Sequence, residues 1–174
     1  SAQLTKIKGS GAEFLFTPQY YNEVPLIVKQ AKELGLDFPI VGSDSWGDPK
    51  TLELCGDACE GLLFSTHYAA EGATGATKEF IDRYNETYGE VPGDVAALTW
   101  DAMGIVLQAI QNTGGLTGDL AKDREAVKDE LGKITDFDGI TGNMTFTPEG
   151  DPIKCAVIVK ISGGKFTFYD QACP

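Results

Sequence analysis

Residues 14–46, FLFTPQYYNEVPLIVKQAKELGLDFPIVGSDSW, constrain the fold more than any other stretch of the chain. Ala12 to Phe16 is a continuous apolar run of the kind parallel strands have. A polar and aromatic loop follows, Thr17-Pro18-Gln19-Tyr20-Tyr21-Asn22. Val24, Ile27, Val28, Ala31 and Leu34 then recur at helical spacing, with Asn22 as the expected N-cap and Pro25 tolerated in the first turn. Gly35 stops the helix, and Phe38 to Val41 is the next strand. A second loop, Gly42-Ser43-Asp44-Ser45-Trp46, follows it. Strand, helix and strand with short connections make a right-handed parallel crossover. Both loops then leave the carboxyl edge of the sheet, the edge where open α/β folds bind ligands.

The later segments complete an α/β chain. Gln3 to Lys8 reads as the end of a helix stopped by Gly9; it has no visible beginning, which points to missing preceding structure. Pro49 to Leu54 is a brief helix capped by Asp48, and Gly61 to Thr66 is a third strand. Three helices follow without an intervening strand: Thr77 to Tyr88, about Asp94 to Gln111, and Asp119 to Ile134. In the middle one, Val95, Leu98, Ala102, Val106, Ala109 and Ile110 line one side. Such helices need a sheet to pack on, and none is evident nearby. Asp136 to Gly142 is rich in turn residues. Met144 to Thr147 forms a strand, and Pro148-Glu149-Gly150-Asp151-Pro152 turns the chain. Cys155 to Ile161 and Phe166 to Tyr169 form a hairpin around Ser162-Gly163-Gly164-Lys165.

Composition excludes several roles. A net charge of -12 and a pI near 4.4 oppose binding to nucleic acid, whose phosphates call for Lys and Arg. They equally oppose adhesion to an anionic membrane. No apolar run is long enough to insert in a bilayer. The four cysteines, Cys55, Cys59, Cys155 and Cys173, lack the spacing of a zinc site, and His67 is the single histidine, so no metal is expected. Two disulfides and buried free thiols are both compatible with these positions. A Cys155–Cys173 bridge would need a bulge or a frayed strand end, because the register sets Cys155 opposite Ala172. No cofactor loop is present: Gly114 to Asp119, GGLTGD, follows a helix rather than a strand.

The sequences AQLTKIK, TPQYYNEVPLIVKQAKELGL, VGSDSW, CEGLLFSTHYA, AALTWDA, FDGITGNMTF and DPIKCAVIVKI-GGKF follow one another in an order and spacing that resemble the carboxyl-terminal half of a type I periplasmic solute-binding protein. The resemblance is to the branched-chain amino-acid (Leu/Ile/Val) binding family and spans essentially the whole chain. It implies a Rossmann-like parallel sheet lobe plus helices of the other lobe, as a fragment of a two-lobed α/β fold. Residues 1–66 would belong to the second lobe. Residues 67–142 would be the hinge crossing and helical return to the first lobe, and 143–174 a further crossing with the carboxyl-terminal hairpin of the second lobe. The amino-terminal half of the protein, or another chain, would cover the apolar faces left open.

The same resemblance implies a role rather than a reaction: an extracytoplasmic component of an ABC importer, in the periplasm or lipid-anchored at the cell surface. It would bind an aliphatic amino acid by hinge closure and dock on the membrane permease. By position, Tyr20 matches the aromatic residue that contacts the ligand, and Asp44 the acid that accepts from its ammonium group. Trp46 lies at the same cleft edge, and Trp100 faces the cleft from the first lobe. From the residues alone, each has a plain alternative. Asp44 is also a good turn cap, either Tyr20 or Tyr21 can pack on the sheet, and Trp100 can be core. His67 has Ser65 two residues away, but a hinge histidine satisfied by backbone fits better than a general base. Two other readings are a ligand-sensing domain of a receptor and an α/β enzyme. The second lacks a paired acid and base.

Overall fold

A computed structural model describes residues 2–174; Ser1, where the first expected segment begins, lies outside the described residues. The chain divides into two compact units. One comprises the residues through Ala73 together with Ala156–Gln171, and the other comprises Thr74–Cys155 with Ala172–Pro174. The first boundary thus falls after Ala73 rather than at residue 66. The strands around Met144 belong with the helices, not with the final hairpin.

The first unit is built on a five-stranded mixed sheet in the order β1-β2-β3-β7-β8. Its elements are α1 (Ala2–Lys8), β1 (Leu15–Thr17), α2 (Val24–Glu33), β2 (Ile40–Gly42), α3 (Lys50–Cys55), β3 (Leu63–Thr66), β7 (Ala156–Ser162) and β8 (Lys165–Ala172). β1, β2 and β3 are parallel, with Thr17 opposite Gly42 and Gly42 opposite Phe64. β7 runs antiparallel to β3. The expected crossover is present, and α2 buries Val24, Val28 and Ala31 completely. Its cap differs from expectation. Glu23, not Asn22, precedes the helix, and no side chain caps it. Instead the Tyr20 carbonyl accepts from the amides of Glu23 and Val24, so backbone fills the role that the Asn22 amide was expected to play. At α3 the capping position is Pro49 rather than Asp48, and the Asp48 carboxylate accepts from the Lys50 amide just ahead of the helix.

The core of this unit joins α2 residues to Ile40, Phe64, Val159 and Ile161. The β7–β8 hairpin turns at Gly163 and Gly164, which have φ of 59° and 71°. Two successive left-handed residues fit the right-handed twist of the strands, and glycine takes them without a Cβ penalty.

The second unit contains α4 (Gly75–Tyr88), α5 (Asp94–Asn112), α6 (Leu120–Leu131), β4 (Phe137–Gly139), β5 (Gly142–Phe146) and β6 (Pro152–Ile153). The expected absence of a sheet here is corrected. β4, β5 and β6 form an antiparallel three-stranded meander. The DFDGITG stretch reads as turns because of its glycines, yet Phe137 pairs with Met144 and Gly139 with Gly142. Phe137 and Met144 pack with Ile105, Ala109 and Ile134 as a second core. α5 buries a side other than the apolar one read from its periodicity. Its buried stripe is Asp94, Ala97, Asp101, Ile105 and Ala109, whereas Val95, Ala102 and Val106 are exposed. α5 is apolar on two sides, so hydropathy alone does not choose between them; Asp101 makes the choice through the bonds described below.

Candidate functional site

The carboxyl edge of β1, β2 and β3 carries Tyr20, Asp44 and His67 on three successive loops. The loops are stitched together. The Ser45 hydroxyl contacts the Pro18 and Gln19 carbonyls at 3.2 and 2.9 Å and lies 3.0 Å from the Ser43 hydroxyl. The chain after β2 closes into a short 3-10 turn, Asp44–Trp46, with the Gly47 amide donating to the Asp44 carbonyl. Asp44 therefore sits on a loop fixed by its neighbours on both sides, while its carboxylate stays exposed. A carboxylate is an acceptor through both oxygens and offers a charge-assisted contact to an ammonium group.

Trp46 anchors that turn from below. The expected place for it is the cleft edge; the structure corrects this by burying it beneath that edge. Its side chain is completely buried. The indole N–H donates to the Thr17 carbonyl at 3.1 Å, and the ring meets Phe64 with centroids 6.1 Å apart. A Cβ on Gly42 would fall 2.2 Å from the indole, so the ring lies directly over a residue without a side chain. Trp46 thus presents no surface to a ligand in this arrangement. It ties the β2 loop to the end of β1.

Tyr20 and Tyr21 divide in the structure. Tyr20 is 67% exposed, with its carbonyl occupied by the start of α2. Tyr21 is half-buried, and the Lys50 ammonium lies 5.8 Å from its ring centroid, a cation–π approach. His67 follows β3 directly, and its Nε2 is 3.9 Å from the Asp44 carboxylate. Sequence reasoning treated His67 as a hinge residue and did not join it to Asp44. Their approach depends on the sheet: β2 and β3 are neighbours with Gly42 opposite Phe64, and both loops leave the same edge.

Trp100 lies in the second unit, on α5, half-exposed against Phe80 at 5.3 Å between centroids. Phe80, Tyr84 and Tyr88 continue as a row of ring contacts along α4. These residues line an open groove of about 620 Å³ with Arg83 and Met103.

One buried polar constellation in this unit was missed from the sequence. Asp101 is 3% exposed and accepts from the amides of Ile140 and Thr141 at 2.8 and 2.9 Å and from the Thr141 hydroxyl at 2.6 Å. Lys154 donates to the same hydroxyl at 2.7 Å. Burial pushes the Lys154 ammonium below the usual lysine range, and the Asp101 and Asp94 carboxylates oppose that shift. The signal was an acid at a helical step between Ala97 and Ile105, on an otherwise apolar stripe.

All four cysteines are bridged, Cys55 to Cys59 and Cys155 to Cys173. The second bridge avoids the register problem because Cys155 precedes β7 and Cys173 follows β8. Both lie just beyond the paired segments.

Comparison with known proteins places this geometry in context. A family model described as periplasmic binding protein matches residues 1–165. The leucine-, isoleucine-, valine-, threonine- and alanine-binding protein of Pseudomonas aeruginosa is 28% identical over 151 residues, covering 87% of this chain and 38% of that protein. Among solved structures, a leucine-binding protein from Thermotoga maritima is 33% identical with a TM-score of 0.88, covering 99% of this chain and 48% of that one. The substrate-binding protein of a branched-chain amino-acid transporter from Streptococcus pneumoniae, solved with isoleucine, is 31% identical with a TM-score of 0.80. The match covers all of this chain and 48% of that one. The chain therefore spans about half the length, or less, of the relatives it matches.

Proposed function

The chain belongs to the periplasmic binding protein family, and from that premise we propose that the complete protein captures a branched-chain or similar aliphatic amino acid for an ABC importer. The observation that carries the reading is the edge formed by Tyr20 and the Asp44 loop, in a chain whose relatives are named as binders of leucine, isoleucine and valine. In this reading the Asp44 carboxylate takes the ligand ammonium group, and the exposed Tyr20 ring covers the aliphatic part. Trp46 serves the site indirectly by holding the Asp44 turn. The role is binding without bond chemistry: a ligand favours the state that binds it best, and that state is what a permease reads.

Two features support an extracytoplasmic setting. The family is one of periplasmic proteins, and every cysteine is in a disulfide, a state that persists in oxidising compartments. None of the helices among the described residues is long and apolar enough to cross a membrane.

The test is isothermal titration of the complete protein with leucine, isoleucine and valine, in the wild type and in Asp44→Ala. The reading expects saturable binding that Asp44→Ala abolishes while leaving the melting temperature in place. Undiminished leucine affinity in Asp44→Ala would sink the role given to that residue. Absence of binding to all three amino acids would sink the ligand class.

A further inference from the structure

We propose that His67 is a further recognition residue of the Asp44 edge and that its protonation competes with the ligand ammonium group for the Asp44 carboxylate. The inference rests on the proposed amino-acid reading and goes beyond it by naming a third side chain and a pH dependence.

β2 and β3 are adjacent and parallel, and their first residues past the carboxyl ends are Ser43 and His67. Gly42 lies opposite Phe64, so β3 runs two residues beyond the end of β2 before His67 leaves it, and the Asp44 turn reaches over to that end. Nε2 and Oδ2 are 3.9 Å apart, with the two side chains 39% and 55% exposed. That is too long for a hydrogen bond, yet within the range of direct charge pairing. Both groups remain reachable from solvent. The Ser45 contacts to the Pro18 and Gln19 carbonyls hold the turn that carries Asp44.

Other charged groups flank the pair in the chain: Asp48 and Lys50 follow Asp44, with the Lys50 ammonium at the Tyr21 ring, and Lys154 precedes β7 and donates to the Thr141 hydroxyl. β2, Ile40–Gly42, has no titratable side chain. On β7 the nearest charged residue is Lys160, which pairs with Leu63 at the opposite end of β3. In the loop after β3, Glu71 accepts from the Phe168 amide. The remaining titratable groups nearby are the phenols of Tyr20, at the β1 edge, and of Tyr68, the next residue in the chain.

Histidine is the side chain that changes charge between about pH 5 and 8. Neutral imidazole leaves the Asp44 charge intact for an ammonium group. Imidazolium supplies a rival cation at 3.9 Å and partly cancels the field that the ligand would meet. An amino acid keeps its ammonium and carboxylate charges across that interval, so the protein alone supplies the pH dependence. Binding thus tightens as the site moves from acid to neutral surroundings.

The experiment titrates the complete protein with leucine at intervals between about pH 5.5 and 8, in the wild type and His67→Gln, with a thermal melt at each pH. The expected result is a loss of leucine affinity on acidification of about fivefold, the size of one charge contact at this distance in water, in the wild type only. A second probe is 4-methylpentanoate, which is leucine without its amine; its binding should not weaken on acidification. Leucine binding that is flat with pH in the wild type overturns the inference. So does an acid-dependent loss that survives in His67→Gln or that 4-methylpentanoate shares. Absence of leucine binding at every pH overturns the ligand reading and this inference together, whereas the other outcomes overturn the inference alone.

Discussion

Each of the two units fixes a loop with one buried side chain lodged over a glycine, and the two do so by opposite chemistry. In the first, Trp46 lies over Gly42 and joins the β2 loop to β1 through ring packing and one hydrogen bond. In the second, Asp101 lies over Gly139, where a Cβ would come within 2.6 Å of its carboxylate, and holds the turn after β4 through three accepted hydrogen bonds. The apolar anchor draws on dispersion and surface burial, which depend little on orientation. The polar anchor is directional, and its buried acceptor has no substitute if a donor is lost. Both use the glycine for the same reason: the anchoring group needs the volume a side chain would occupy.

The contrast can be broken most strongly at Trp46. Trp46→Ala removes a fully buried indole and should cost about 4 kcal/mol, seen in urea unfolding of the complete, disulfide-intact protein. Amide exchange should locate the loss in the first unit, with the α5–β4 amides unchanged. Asp101→Ala should cost about 3 kcal/mol by orphaning the Ile140 and Thr141 amides, with faster exchange confined to the second unit. If either variant loosens both units equally, the two anchors are not independent. Gly42→Ala comes next, at about 2 kcal/mol from overpacking against the indole. It should also weaken leucine binding by displacing the Asp44 turn, a loss that Gly139→Ala should not share.

The smallest effect concerns acid. Hydrogen bonding to Thr117 holds the Asp123 carboxyl below the usual range, and bonding to Lys122 does the same for Asp119. A depressed folded-state pKa gives stability that is present above the unfolded value of about 4 and lost as pH falls through the folded one. The Thr117 and Gly118 amides, which donate to Asp123, should therefore lose protection at the most acidic pH. The Trp46 anchor, having no ionisable partner, should not respond. Exchange rates corrected for their intrinsic pH dependence check this.

The same contrast explains what was legible in the sequence. The strand–helix–strand unit was readable because Val24, Val28 and Ala31 repeat with the period of a helix and the flanking runs are apolar. Periodicity is a local signal. The burial of Trp46 depends on a glycine four residues earlier and a carbonyl at Thr17, so its loop position read as a rim. The β4–β6 meander was hidden because Gly139 and Gly142 look like turn residues, although Gly139 is there to admit Asp101. The buried stripe of α5 was not legible because two of its positions, Asp94 and Asp101, are acids. The candidate edge was legible in part: Tyr20 and Asp44 follow predicted strands, but joining His67 to them requires the folded sheet.

The Cys155–Cys173 bridge has a consequence for how the chain can be cut. Everything between the two cysteines, including the whole β7–β8 hairpin and its Gly163–Gly164 turn, lies within one covalent ring. A single cleavage inside that ring opens it without releasing anything. A protease that nicks the glycine turn would leave a product of unchanged mobility on a non-reducing gel, and only a thiol would free the peptide 164–174. The last strand of the first unit's sheet is therefore retained through damage that would strip a terminal strand from an unbridged chain.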